Sequence, residues 1–379
     1  MATLIGYAYA GFPLLLLVRS LVVRRPVRAD PNHTPTITVV IAAYNEAASI
    51  GAKIENLLSA DYPPERREIL VASDGSEDGT NEIVEGFAGH GVRLLALERV
   101  GKITALNLAV EQATGEIWVF TDANSMFAPQ SLRALVAPFA DPEVGGVAGN
   151  QVYLAPGSKE IDAVTAGERG YWDYDRLLKE RESQAGNTVS ATGAIYAVRR
   201  ELRRPLPPAV TDDFMTSVRV VEQGYRLVFA PEAVAYEPPA ASNEAEFQRK
   251  VRVMTRGLRG VVEARALLNP LRYGFYAVQL FSHKVLRRLV AVPLLILALV
   301  SPFLWRRGLF YKLAALGQAF CYGCAAAGLF LRGTRHGKTK LLTVPLFFCT
   351  ANAAALLATI NLIRGRKIDM WSPQRETTR

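Results

Sequence analysis

The feature that most limits how this chain can fold is the placement of its apolar residues. Four long apolar stretches, residues 3–23, 289–305, 313–331 and 341–363, bracket a polar middle. At about 1.5 Å per residue, a helix over 3–23 extends roughly 30 Å, the thickness of a bilayer's hydrocarbon core. The first stretch carries one charge, Arg19, near its end. A cleaved signal peptide would show basic residues before its apolar run. Here Arg24, Arg25 and Arg28 follow it, which predicts an N-terminus outside and the polar middle in the cytoplasm. Charged residues are 21% of the chain, against about 25% for a soluble protein, and the deficit lies at the two ends. The net charge of +9 does not indicate a nucleic-acid partner. The basic residues gather beside apolar segments, as at Lys284, Arg287 and Arg288, where anionic lipid headgroups attract them. Cys321, Cys324 and Cys349 all lie in apolar segments and read as small packing residues between membrane helices.

Between the apolar ends, strand and helix patterns alternate. Residues 36–42 form a β-branched run that reads as a buried parallel strand, followed by helical periodicity over 47–60. Strands at 68–73, 92–97 and 116–121 alternate with helices at 78–88 and 102–113. The alternation predicts an α/β domain with a mostly parallel sheet, whose ligands bind at the carboxyl ends of the strands. Polar clusters fall at those ends: Tyr44-Asn-Glu46, Asp74-Gly-Ser-Glu-Asp78 and Asp122-Ala-Asn124. Beyond residue 240, a basic helix over 243–266 leads into a mixed segment, 267–288, that reads as lying in the membrane interface. The expected organisation is a transmembrane helix within 1–28, a catalytic domain over 36–260 and interfacial helices over 261–288. A membrane region of about three helices over 289–363 and a basic tail over 364–379 complete it. The topology of the C-terminal part stays open. The loop 332–340 and the tail after 363 are both basic, yet a single crossing by 341–363 puts them on opposite sides.

Several polar residues stand where they can do chemistry. Asp122 and Asn124 offer oxygen ligands to a hard divalent cation, the alternative being a strand-end turn. Asp212 and Asp213 in Thr211-Asp-Asp213 can leave one carboxylate poised as a base, the alternative being a helix N-cap. None of His33, His90, His283 and His336 lies near a motif, which leaves a carboxylate as the base. Lys102 after Gly101 opens a helix and suits a phosphate, or is a solvated lysine after a turn. Tyr171-Trp-Asp-Tyr174 can stack a sugar or simply pack.

Taken in order, these motifs resemble the family 2 glycosyltransferases, in particular the membrane-bound branch of hyaluronan, poly-N-acetylglucosamine and cellulose synthases. Ala43-Tyr-Asn-Glu46 is similar to P-x-Y-N-E, with Ala43 in place of proline. Ser73 to Thr80 resembles D-G-S-x-D-x-T, and Gly101 to Asn107 matches G-K-x-x-A-L-N. Asp122-Ala-Asn124 resembles D-x-D with asparagine last, Thr192-Gly193 to Arg199 resembles T-G-x-x-x-x-x-R, and Thr211-Asp-Asp213 resembles T-E-D. The likeness spans 36–257. It implies a GT-A, Rossmann-like fold and inverting transfer from a UDP-sugar to a glycan or lipid-linked acceptor, with Mn²⁺ or Mg²⁺. It also implies a multi-pass protein of the cell's inner (plasma) membrane that makes exopolysaccharide or envelope glycan and has no nucleic-acid partner. Ala42, Tyr44, Glu46 and Asp74 would line the uridine pocket, and Lys102, Gly193 and Arg252 would hold the donor. Asp122, with Asn124 beside it, would bind the metal at the diphosphate, and Asp213, with Asp212, would serve the acceptor hydroxyl. The family's Q-x-x-R-W appears as Arg249-Lys-Val-Arg-Val253, without glutamine or tryptophan, so the resemblance implies glycosyl transfer more firmly than processive polymerisation. Two other readings compete: a polyprenyl-phosphate sugar synthase and a non-catalytic membrane scaffold. A nucleotidyltransferase would show a glycine-rich phosphate loop, which residues 42–51 lack.

Overall fold

The computed structural model describes residues 1–154, 166–238, 242–331, 334 and 336–366. The tail from 367 onward and most of the 332–335 loop therefore lie outside the described residues, as does the side chain of Tyr171. The chain divides into two compact units. One takes Ser20–Ile161 and Lys179–Ala241; the other takes Met1–Arg19, Asp162–Leu178 and Ser242–Arg366.

The first unit is built on an eight-stranded sheet. Its strands are β1 (Ile37–Ala43), β2 (Arg67–Asp74), β3 (Val92–Leu97), β4 (Ile117–Asp122), β5 (Met126–Phe127), β6 (Val144–Tyr153), β7 (Tyr196–Arg199) and β8 (Arg226–Glu237). The spatial order is β3-β2-β1-β4-β7-β6-β8-β5. Strands β3, β2, β1 and β4 run parallel; β7 is antiparallel to both β4 and β6; β6 and β8 are parallel; β5 pairs antiparallel with β8. Every residue of β1 is buried, as an apolar strand with both faces covered requires. Register places Ala42 between Ala72 and Asp122, and Ala43 beside Ser73. The strand order reverses between β1 and β4, and the crevice outside such a reversal is where open α/β sheets bind ligands. Below it lies the core, where Ile37, Val39, Ile41, Ile69, Val71, Ile117 and Val119 pack with Ile50, Ile54 and Leu57 of the helix Ala47–Leu58.

The second unit is helical. Among the described residues, three helices are long and apolar enough to cross a bilayer: Ala2–Val22, Leu309–Phe330 and Lys340–Ile363. The stretch 289–305 holds the helix Ala291–Val300 and a 3₁₀ turn, Trp305–Arg307. The helix follows Arg287–Leu289 without leaving helical backbone, since Val290 sits at φ −59°, ψ −25° and Leu294 N donates to the Val290 carbonyl at 3.1 Å. Pro293 has no N–H for the Leu289 carbonyl, which removes one bond at that joint. The basic helix runs Asn243–Glu263 and packs along Lys340–Ile363. Its N-cap Ser242 accepts from Ala245 N at 3.2 Å, with Glu244 and Glu246 in the first turn where the helix dipole favours acids. Tyr174, a candidate sugar platform, packs against Phe12, Leu16 and Leu178. The three cysteines are free thiols, and Gly328 backs onto the Leu342 carbonyl where the helices Leu309–Phe330 and Lys340–Ile363 meet.

Candidate active site

Two loops at the carboxyl ends of β1 and β2 are stitched together by their own polar residues. Asn45 takes a left-handed conformation, φ 52°. Its N–H donates to Ser76 Oγ at 3.0 Å, and its amide oxygen accepts from Glu77 N at 2.9 Å. Asp78 accepts from Ala47 N at 3.0 Å and from Thr80 Oγ1 at 2.5 Å, and Thr80 Oγ1 in turn accepts from Glu46 N at 2.8 Å. These bonds hold the Asp78 carboxyl below the usual range, against a burial that works the other way. Glu46 is buried and accepts from Ser49 Oγ at 2.6 Å.

Asp74, fully buried at the end of β2, organises the next segment. It accepts from Val100 N at 2.7 Å, from Gly101 N at 2.9 Å and from the Arg99 guanidinium. The Arg99 guanidinium carbon lies over the Tyr44 ring, 3.4 Å from its centroid. The backbone then turns through Gly101 at φ 87°, ψ 149°, a conformation open essentially to glycine alone, and enters the helix Lys102–Gln112.

That turn delivers Lys102 to the centre of the site. Its Nζ stands 2.8 Å from Asp122 Oδ1 at the end of β4 and 3.4 Å from Asp212 Oδ1 at the start of the helix Asp212–Glu222. Burial disfavours the lysine's charge, but Asp122, Asp212 and Asp213 outweigh it and raise its pKa above the ordinary value. Asp212 also accepts from the Tyr196 hydroxyl at 3.0 Å. Burial, then the charge of Asp212, hold that phenol well above its usual pKa. Asp213 is half-buried, and its Oδ1 accepts from Phe214 N at 2.7 Å. Gly193 lies against Asp122, and a Cβ there would come within 3.3 Å of Asp122 Oδ2. Ten candidate residues thus belong to one unit: Ala42, Tyr44, Glu46, Asp74, Lys102, Asp122, Asn124, Gly193, Asp212 and Asp213. Arg252 stands on the helix Asn243–Glu263, in the helical unit.

Residues 34–256 match the family model described as "Glycosyltransferase like family 2". The chain belongs to the family 2 glycosyltransferases. Among curated relatives, glycosyltransferase AglE of Haloferax volcanii is 29% identical over 212 residues, 54% of this chain and 67% of the relative. The poly-beta-1,6-N-acetyl-D-glucosamine synthase of Staphylococcus epidermidis is 25% identical over 217 residues, 55% of this chain and 52% of the relative. The chain thus matches only about half the length of that synthase. Among solved structures, the mannosyltransferase PcManGT from Pyrobaculum calidifontis, in complex with GDP-Man and Mn²⁺, superposes with a TM-score of 0.73 at 25% identity. That match covers 97% of this chain and 98% of the other. The sheet unit is therefore a GT-A fold.

The donor atoms of this family 2 site suit a hard cation bound together with a diphosphate. Among the described residues, no group of three or more His, Cys, Asp or Glu could hold a metal. Asp122 offers a carboxylate and Asn124 an amide oxygen, and one or two such ligands suffice when phosphate supplies the rest. Asp122 and Asp212 already hold one positive charge between them in Lys102. Three residues escaped the sequence reading. Arg99 and Tyr196 carry no signal in spacing. Lys53 does carry one, because it sits among Ile50, Ile54 and Leu57 on the buried face of its helix.

Proposed function

We propose that the chain is an inverting, divalent-metal-dependent glycosyltransferase that moves a sugar from a nucleoside diphosphate donor, with UDP-sugars the first candidates, to a glycan or lipid-linked acceptor at the cytoplasmic membrane face. One observation carries the reading: Lys102 stands between Asp122 and Asp212, with Asp213 adjoining, where the strand order reverses. In this reading Ala42, Tyr44, Glu46 and Asp74 border the nucleoside, and Lys102 and Gly193 flank the diphosphate. Asp122 and Asn124 would hold Mn²⁺ or Mg²⁺, which when bound would neutralise charge on the leaving diphosphate. Asp213 takes the acceptor's hydroxyl proton, and that oxygen attacks the anomeric carbon opposite the leaving group, inverting it. Asp212, already bonded to Lys102 and Tyr196, positions the base beside it. The mannosyltransferase bound to GDP-Man and Mn²⁺ supports the metal and makes GDP-mannose a donor to test beside the UDP-sugars.

The test is nucleotide release by the purified, detergent-solubilised chain. It would be supplied with UDP-glucose, UDP-galactose, UDP-N-acetylglucosamine, UDP-glucuronate or GDP-mannose, Mn²⁺ or Mg²⁺, and a membrane lipid or glycan extract. One donor is expected to give metal-dependent release, lowered about 100-fold or more in Asp213→Asn, as for loss of a general base. Release indifferent to Asp213 removes the proposed base, and the absence of release with every donor tried removes the transferase reading.

A further inference from the structure

We propose that Lys53 is a positioning residue that staples the Asp122-Ala-Asn124 turn in place and thereby sets the affinity for the metal–diphosphate portion of the donor. The inference rests on the site reading above and adds a residue to it. Lys53 is fully buried on the helix Ala47–Leu58. Its Nζ donates to Thr121 Oγ1 at 3.1 Å and to the Ser125 carbonyl, and it lies 3.8 Å from the centroid of the Phe127 ring. The two acceptors flank residues 122–124 on either side, so a single amino group spans the turn.

Other contacts hold the turn at single points: Lys102 meets the Asp122 carboxylate, and Asn56 bonds the Phe127 backbone just beyond it. Its own closing bond, Ser125 N to the Asp122 carbonyl, is 3.3 Å long. The Ser125 hydroxyl is buried and has no hydrogen-bond partner among the described residues. The staple also reaches further. Thr121 Oγ1, accepting from Lys53, donates to the Ala194 carbonyl at 2.7 Å, next to the Gly193 that lies against Asp122. One lysine therefore fixes both the turn that carries Asp122 and the loop that faces it.

Energetics argue that this lysine is not mere filling. Its neighbours on the buried face, Ile50, Ile54 and Leu57, are apolar, and a methionine of similar length would suit the space without burying an amine. Burial lowers the lysine's pKa well below its usual value, and Asp122 only partly restores it. A stability cost borne beside a ligand site fits a residue kept for geometry. Partners that orient metal ligands from behind contribute about 10–100-fold in affinity.

The experiment compares wild type, Lys53→Met, Thr121→Val and Asp122→Asn as full chains in detergent. It measures Mn²⁺ binding by electron paramagnetic resonance with UDP and with GDP, together with the unfolding temperature of each variant. Wild type is expected to bind Mn²⁺ with one nucleotide, and Asp122→Asn to lose that binding. Lys53→Met is expected to weaken it about tenfold or more, and Thr121→Val to weaken it less, in protein that remains folded. In turnover assays Lys53→Met should raise KM for donor and metal far more than it lowers kcat. A wild type that binds no Mn²⁺–nucleotide overturns the site reading itself. Wild-type binding lost in Asp122→Asn but unchanged in Lys53→Met overturns only the staple. If Lys53→Met does not fold, Thr121→Val decides, and unaltered affinity there likewise overturns the proposal.

Discussion

At the scale of single residues, the centre of the site is a charge balance. Lys102 is a cation shared by two carboxylates from different elements, Asp122 ending β4 and Asp212 beginning a helix. The carboxylates raise its folded-state pKa above the unfolded value of 10.5. The stability it contributes is therefore complete below that value and fades only as pH rises through the raised one. Lys102 stays charged across the whole neutral range. Lys102→Met leaves Asp122 and Asp212 with no cation between them. The variant should therefore unfold at a lower temperature than wild type at neutral pH, by a deficit of about 1–3 kcal/mol, the cost of leaving a buried charge without its partner. Because Lys102 holds its proton below 10.5, the deficit should be steady through the neutral range and shrink only as pH rises above that value. Thermal unfolding at neutral pH and above 10.5 checks this, and a variant as stable as wild type at neutral pH would remove the charge-balance account.

At the scale of elements, the site depends on how strands end and helices begin. Much of this was legible. The strand expected at 36–42 runs Ile37–Ala43, and the helix expected at 102–113 runs Lys102–Gln112, because an apolar β-branched run and a glycine-led helical repeat are strong local signals. The helix expected over 78–88 is only Thr80–Glu85, since Gly79 at φ 90° delays its start and Gly86 closes it. Strands β6 to β8 were not read. β6 contains Gly145, Gly146 and Gly149, which depress strand propensity, and β7 is only four residues long. The neighbourhood of Asp122 and Asp212 was likewise invisible, because β7 brings Tyr196 beside β4 by antiparallel pairing that no local pattern encodes. The turn into the lysine helix is the element most exposed to a single change. Gly101→Ala would force a Cβ onto a φ of 87° while Asp74 still holds the N–H groups of residues 100 and 101. The strain is about 1–3 kcal/mol. It should appear as a lower unfolding temperature together with a higher KM for the donor, because the displaced residue is Lys102. A drop in stability with donor KM unchanged would mean that the turn does not set the lysine's position.

At the scale of the whole molecule, the chain joins a GT-A unit to helices that are long and apolar enough for a bilayer, and the distribution of basic residues leaves their path in tension. The helix Lys340–Ile363 is 24 residues long, about 36 Å, sufficient for one complete crossing. A single crossing separates the basic segment before it from Arg364 and Arg366 after it, so one of the two violates the preference of positive charge for the cytoplasm. The geometry favours crossing over re-entry. The helix is unbroken across Pro345, and the exposed Leu341, Val344, Leu357 and Ile363 extend along its whole length, as a lipid-facing surface requires. Residues 334 and 366 should therefore face opposite compartments. In a background with Cys321, Cys324 and Cys349 replaced by alanine, Thr334→Cys and Arg366→Cys are each exposed to a membrane-impermeant thiol reagent in sealed vesicles of known orientation. Labelling of one from outside and of the other only after permeabilisation is the expected outcome, and it also shows which basic cluster lies on the disfavoured side. Labelling of both from the same side means that the segment turns back within the bilayer, and the charge rule is then obeyed at the expense of the crossing.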